Sequence, residues 1–340
     1  MHQVQARQIK ITAVHMLLLL AVTTGWNHGN IDNAIHWPDG TEQSVNDARK
    51  EFYDYLYTNL VSFDIPNAGT LGFAVGDDSN NEEPDGLSTG ILEPTIDLSL
   101  ESKIRYPWTK DIPKDIYLEY VLPFSIANEA RTNIRPLLKQ TLTSTIDRLL
   151  QDPNNTDIND VVHAVNTDLW PLLGNITFKS GQTPLIFDPM SIIAFKYASC
   201  TGLSILLIHA LRCLGVPCRL VGTPAWNGDT EKGNHNWVEF YSPSHKEDDK
   251  WIFLESAPAY GGIPDINPNP CSFWFCDTDH FDGATKVYAT RLDKLQSNHV
   301  YYPLAWDDTN HDIPGEDRTM IYTNICSSCD RDDSSYVSDK

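Results

Sequence analysis

The chain has 340 residues, of which 41% are hydrophobic and 10% aromatic, enough apolar material for one large domain or two moderate ones. Its 25 Lys and Arg stand against 46 Asp and Glu, a formal net charge of −21. With no basic stripe to offset it, that acidity excludes nucleic acid and anionic membranes as partners, because binding there depends on counterion release by clustered Lys and Arg.

Arg7 and Lys10 precede an apolar run from Ile11 to Val22, and small residues, Thr23, Thr24 and Gly25, follow it. This is the layout of a secretory signal peptide over residues 1–25, and the run is short for a membrane span. No other stretch approaches eighteen apolar residues, so no span is expected in the mature chain. The sequons Asn154-Asn155-Thr156 and Asn175-Ile176-Thr177 fit a glycoprotein of the secretory pathway or cell exterior.

Residues 41–185 read as a helical N-terminal region. The stretch from Glu42 to Val61 carries Val45, Ala48, Phe52, Tyr55, Leu56 and Leu60 at helical spacing, with Thr41 or Ser44 as cap. The polar run from Gly76 to Gly86 has the composition of a calcium loop, but an EF-hand needs glycine where Glu82 stands, so a solvated loop is expected. Helices are predicted over Leu92 to Ile104, Asp115 to Val121, Asn133 to Leu150 and Ile158 to Leu173.

The character changes over 186–330. An apolar helix from Cys200 to Leu214 ends at Gly215-Val216-Pro217. Strands are predicted at Arg219–Gly222, Trp237–Tyr241 and Trp251–Leu254, then at Lys286–Thr290, His299–Tyr302 and Thr319–Tyr322. Residues 331–340 read as a disordered tail. Helices followed by antiparallel strands make an α+β pattern.

A thiol attacks an amide carbonyl as the thiolate, and a helix N-terminus beside an imidazole lowers its pKa. Cys200 opens its helix, with Gly202 allowing close approach in the first turn. His235 heads a strand, in Asn234-His235-Asn236-Trp237-Val238-Glu239, and Glu255 ends the next one. Adjacent antiparallel strands can set that carboxylate beside the imidazole, to hold its tautomer and stabilise the imidazolium. Cys200, His235 and Glu255 are therefore the candidate nucleophile, base and orienting acid. Trp226, Trp237 and Asn234 are candidates for substrate contact, although buried aromatic packing explains the two tryptophans equally well.

These blocks resemble the transglutaminase-like core: Ser199-Cys200-Thr201-Gly202, Leu214-Gly215-Val216-Pro217 with Arg219, His235 to Glu239, and Trp251 to Glu255. The resemblance runs from about Val45 to Tyr322. Gly222-Thr223-Pro224-Ala225-Trp226, Pro107 to Pro113, and Tyr120 to Phe124 with Asn128-Glu129 resemble a secreted branch of that superfamily. It implies a papain-like fold, a Cys-His-acid site with Glu255 where the family prefers Asp, no cofactor, and a protein or peptide substrate. The expected activity is acyl transfer or hydrolysis at an amide bond through a Cys200 thioester. The alternative is a catalytically silent, secreted binding module of the same fold.

Seven cysteines leave one unpaired if three disulfides form, and Cys200 is the expected free thiol. Cys271, Cys276, Cys326 and Cys329 have spacings that a zinc site could use, but an oxidising compartment favours disulfides. Their connectivity stays open, and Cys213 and Cys218 are close enough in sequence to pair locally. No metal site is expected.

Overall fold

The computed structural model describes residues 41–73, 90–181, 186–260, 269–272, 274–277, 280–294 and 297–329. The expected signal segment, the polar run 76–86 and the tail 331–340 lie outside the described residues.

The helical part begins with α1 (Glu42–Thr58), whose N-cap Thr41 accepts the Ser44 N–H and whose buried Val45, Ala48, Phe52 and Leu56 form one stripe. Then come α2 (Leu92–Arg105), α3 (Lys114–Tyr120), α4 (Arg135–Thr141), α5 (Thr143–Leu149) and α6 (Ile158–Leu172). The single helix predicted over 133–150 is two, broken at Leu142. There the Thr143 hydroxyl donates to the Gln140 carbonyl, a local bond that competes with helix continuation. Asp157 and Asp160 form a reciprocal capping box at the start of α6.

A short parallel pair, β1 (Thr177–Phe178) and β2 (Tyr197–Ala198), brackets α7 (Pro189–Phe195) and leads into α8 (Cys200–Cys213). Every residue of α8 from Gly202 onward is buried. A Cβ on Gly202 would lie 2.6 Å from the Ile186 carbonyl oxygen and 2.8 Å from the Ala198 Cβ, so only glycine fits the first turn. At the other end Gly215 takes φ 76°, Val216 N–H returns to the Leu211 carbonyl, and Trp108 Nε1 donates to the Leu214 carbonyl at 2.8 Å.

The main sheet is antiparallel, in the order β5 (Trp251–Leu254), β4 (His235–Tyr241), β3 (Cys218–Thr223), β6 (Tyr288–Thr290), β7 (Gly315–Asp317). Period-two alternation gives it two buried faces. Leu220, Val238, Phe240, Ile252 and Leu254 join the core around α8, which also packs on α2, α4 and α6. Val221, Trp237, Phe253 and Ala289 face a second core closed by Cys276, Tyr322 and Cys326.

That second core is covered by α9 (Thr319–Ser328), which corrects the strand predicted at Thr319–Tyr322. Thr319, Tyr322 and Cys326 are buried at spacings of three and four, a helical period that a four-residue window cannot reveal. The strand predicted at His299–Tyr302 reduces to one bridge, Tyr301 to Pro314, because Asn298 and His299 take φ of 49° and 62° and leave the extended region.

Two disulfides join Cys271 to Cys329 and Cys276 to Cys326. Cys213 and Cys218 do not pair, against the local pairing considered above. Cys213 faces the Arg135 carbonyl and Cys218 the Ile208 carbonyl, and both thiols are buried. Among the described residues no helix is long and apolar enough to cross a membrane, and no cluster of potential ligands for a metal ion occurs.

Candidate active site

Cys200, His235 and Glu255 come together where the N-terminus of α8 meets the sheet. Val238 pairs with Leu254 across β4 and β5, so His235, Trp237 and Glu255 project from the same sheet face. His235 Nε2 lies 2.6 Å from Glu255 Oε2, and both groups are buried. The imidazole also acts on the Cys200 thiol, through its charge above all.

Burial alone would raise the Cys200 pKa. The charge and hydrogen bond of His235 and the backbone N–H of Asn236 outweigh it, against the opposing charge of Glu255, and hold the thiol below its ordinary value. Burial would likewise depress His235, but the Glu255 carboxylate and the Cys200 sulfur hold the imidazole well above its ordinary value. Both shifts favour a thiolate–imidazolium pair.

Three further residues fix this geometry. Asn236, the next residue along β4, donates from Nδ2 to Thr201 Oγ1 at 2.8 Å and accepts from the Tyr302 hydroxyl at Oδ1. Gly222 beside it leaves room, since a Cβ there would lie 2.4 Å from Asn236 Oδ1. Asn166, inside α6, donates to the Glu255 carbonyl at 2.9 Å and accepts from the Ala257 N–H at 3.0 Å, anchoring the segment that carries the carboxylate. Sequence reasoning assigned no role to Asn166 or Tyr302. Asn166 sits on the buried side of an amphipathic helix, and that polar interruption was the available signal.

The two tryptophans expected at a substrate cleft pack around the imidazole instead. Trp226 is 2% exposed and Trp237 0%, with ring centroids 6.3 and 5.9 Å from that of His235. Trp237 Nε1 donates to Tyr322 Oη at 2.7 Å, and Tyr322 in turn donates to Glu239. Glu239 is held by Arg219 and Arg318, so the ring rests on a buried ionic network. Asn234 stands exposed in the loop before β4. Asn128 is exposed, and Glu129 is occupied elsewhere: it accepts from the Ile126 and Ala127 N–H groups and faces His209 on α8.

Fold and site together define an α+β domain of papain-like layout, in which a cysteine opening a buried helix meets a histidine heading a strand. Residues 148–256 match the Transglutaminase-like superfamily core, and this part of the chain is a transglutaminase-like domain. The match includes α6, and with it Asn166. Among solved structures, red sea bream transglutaminase aligns at a TM-score of 0.35 and 14% identity, over 49% of this chain and 36% of that one. The chain thus spans about a third of that protein. A candidate cysteine protease from Cytophaga hutchinsonii aligns at a TM-score of 0.31 and 15% identity, over 63% of this chain and 68% of that one. No curated protein matches the chain.

Proposed function

We propose that the protein is a thiol-dependent amide hydrolase or acyltransferase acting on proteins or peptides, with Cys200 as nucleophile, His235 as acid and base, and Glu255 as the orienting carboxylate. The observation that carries this reading is the bond at 2.6 Å between Glu255 and His235, an imidazole whose charge lowers the Cys200 pKa. In the resting pair the sulfur is thiolate and the imidazole protonated. The sulfur attacks the carbonyl carbon and forms the C–S bond, while charge moves to the carbonyl oxygen. The backbone N–H of Cys200, in the helix turn whose donors lack intrahelical acceptors, serves that oxygen. His235 gives its proton to the nitrogen as the C–N bond breaks, and the amine leaves a thioester. Neutral His235 then takes a proton from water, which attacks the thioester. The C–S bond breaks, releasing a carboxylic acid and restoring the pair.

Water is favoured as acceptor because it needs no second docking channel; an amine in its place would give a cross-link. Asn234, exposed beside the site, is assigned to substrate contact. The two disulfides fit an oxidising compartment, and the sequon residues Asn154 and Asn175 are exposed, which supports a secreted glycoprotein. Iodoacetamide at mildly acidic pH tests the pair: selective alkylation of Cys200, lost in His235→Ala, is expected, whereas an inert Cys200 would favour the silent binding module. Mass spectrometry of a glutamine-containing protein incubated with and without a primary amine then separates deamidation, amine incorporation and chain cleavage.

A further inference from the structure

We propose that Trp274 is the exposed aromatic wall of the acyl-binding cleft, selecting substrates with a flat apolar group next to the reacting carbonyl, and that the two disulfides hold it over the site. Its ring centroid lies 5.3 Å from that of His235, with 60° between the planes, and 5.6 Å from that of Trp226, edge to face. Of the three tryptophans around the imidazole, Trp226 and Trp237 are buried, whereas Trp274 is 40% exposed. The indole thus lies against the imidazole assigned to activate Cys200, where an acyl group bound at the sulfur would meet it. Aromatic rings and aliphatic side chains gain most from such a surface.

The indole is fixed from several directions. His280 packs edge-on to it at 4.7 Å and is itself oriented by Asp277, with Nδ1 to Oδ1 at 2.7 Å. Cys271 and Cys276 stand three residues before and two after Trp274, and bind Cys329 and Cys326 at the end of α9. That helix is anchored through Tyr322 to Glu239 and Trp237 on β4, the strand that bears His235. Imidazole and indole are thereby referred to one strand by covalent and buried polar links.

This inference rests on the acyl-transfer reading, and the test separates the two. Alkylation of Cys200 by 2-chloroacetamide and by N-benzyl-2-chloroacetamide is followed by mass spectrometry in the full chain, with glutathione as the free-thiol reference. The readout is the ratio of the two rates, in which any common change in thiolate population cancels. In the wild type the benzyl reagent is expected to be favoured about three- to tenfold over its ratio with glutathione. Trp274→Phe keeps that preference, Trp274→Ala loses it, and Cys271→Ser/Cys329→Ser weakens it. A wild-type ratio equal to that of glutathione, or a preference that survives Trp274→Ala, overturns the wall; a ratio unchanged in the double serine variant overturns the clamp. If neither reagent modifies Cys200 faster than glutathione, the acyl-transfer reading itself falls, and the wall with it.

Discussion

At the scale of single residues, Glu255 controls the charge state of the site. Its carboxylate is the largest influence raising His235, and the imidazolium so maintained lowers Cys200. The proposed thiolate–imidazolium pair would therefore span the range from the depressed thiol pKa up to the raised imidazole pKa. Glu255→Gln removes the raising charge, so the imidazole loses its proton at lower pH. The thiol then loses its main support and titrates higher, because His235 outweighs the direct repulsion from Glu255. The pH at which alkylation sets in should rise, and turnover, which needs the imidazolium as well, should fall on the order of a hundredfold. A stopped-flow alkylation profile over pH checks the first, and an unchanged onset would show that Glu255 does not support the thiolate.

At the scale of elements, the parts proposed to carry the chemistry were the most legible. Cys200 before an apolar helical run, and a histidine and a carboxylate at the near ends of neighbouring strands, specify a meeting point once the antiparallel pairing is assumed. What failed were features set by distant partners. Thr319-Met320-Ile321-Tyr322 has strand-like composition, yet Tyr322 bonds Glu239 and Cys326 lies one turn further on, so tertiary contacts set a helix. Cys213 and Cys218 are neighbours in sequence, but the helix end and the turn point their sulfurs at different carbonyls. Asn166 is polar in an apolar stripe because its partners arrive from 89 and 91 residues away. Gly202 belongs to this scale too. Gly202→Ala should lower stability by about 1–3 kcal/mol through overpacking against Ile186 and Ala198, and slow alkylation of Cys200 as the first turn shifts. Denaturant unfolding and the alkylation rate report on the two effects, and a stable variant of normal reactivity would contradict the packing argument.

Across the whole molecule, the two parts of the chain are locked by buried charge. Glu129 ties its own turn to Arg131, which holds Asp64, and to His209 in the middle of α8. Although burial opposes it, the hydrogen bond from His209 and the charge of Arg131 lower its pKa to about 2. The carboxylate is depressed on folding, so its contribution to stability is complete above the ordinary glutamate range and is lost as pH falls towards 2. Glu129→Gln should cost about 3 kcal/mol near neutral pH, as for other broken buried pairs, and less in acid. Thermal melts of both proteins at pH 7 and pH 3 measure the difference; a constant gap would exclude the linkage.

Burial pushes the Cys213 thiol up to about 11 and that of Cys218 up to about 12, with neither reachable by solvent. The folded protein thus carries two silent sulfhydryls besides the proposed nucleophile. A chromogenic disulfide reagent should release a single equivalent from the native molecule and three after guanidinium. The quantity of folded molecules with an accessible thiol and the total quantity of polypeptide can then be measured in the same cuvette.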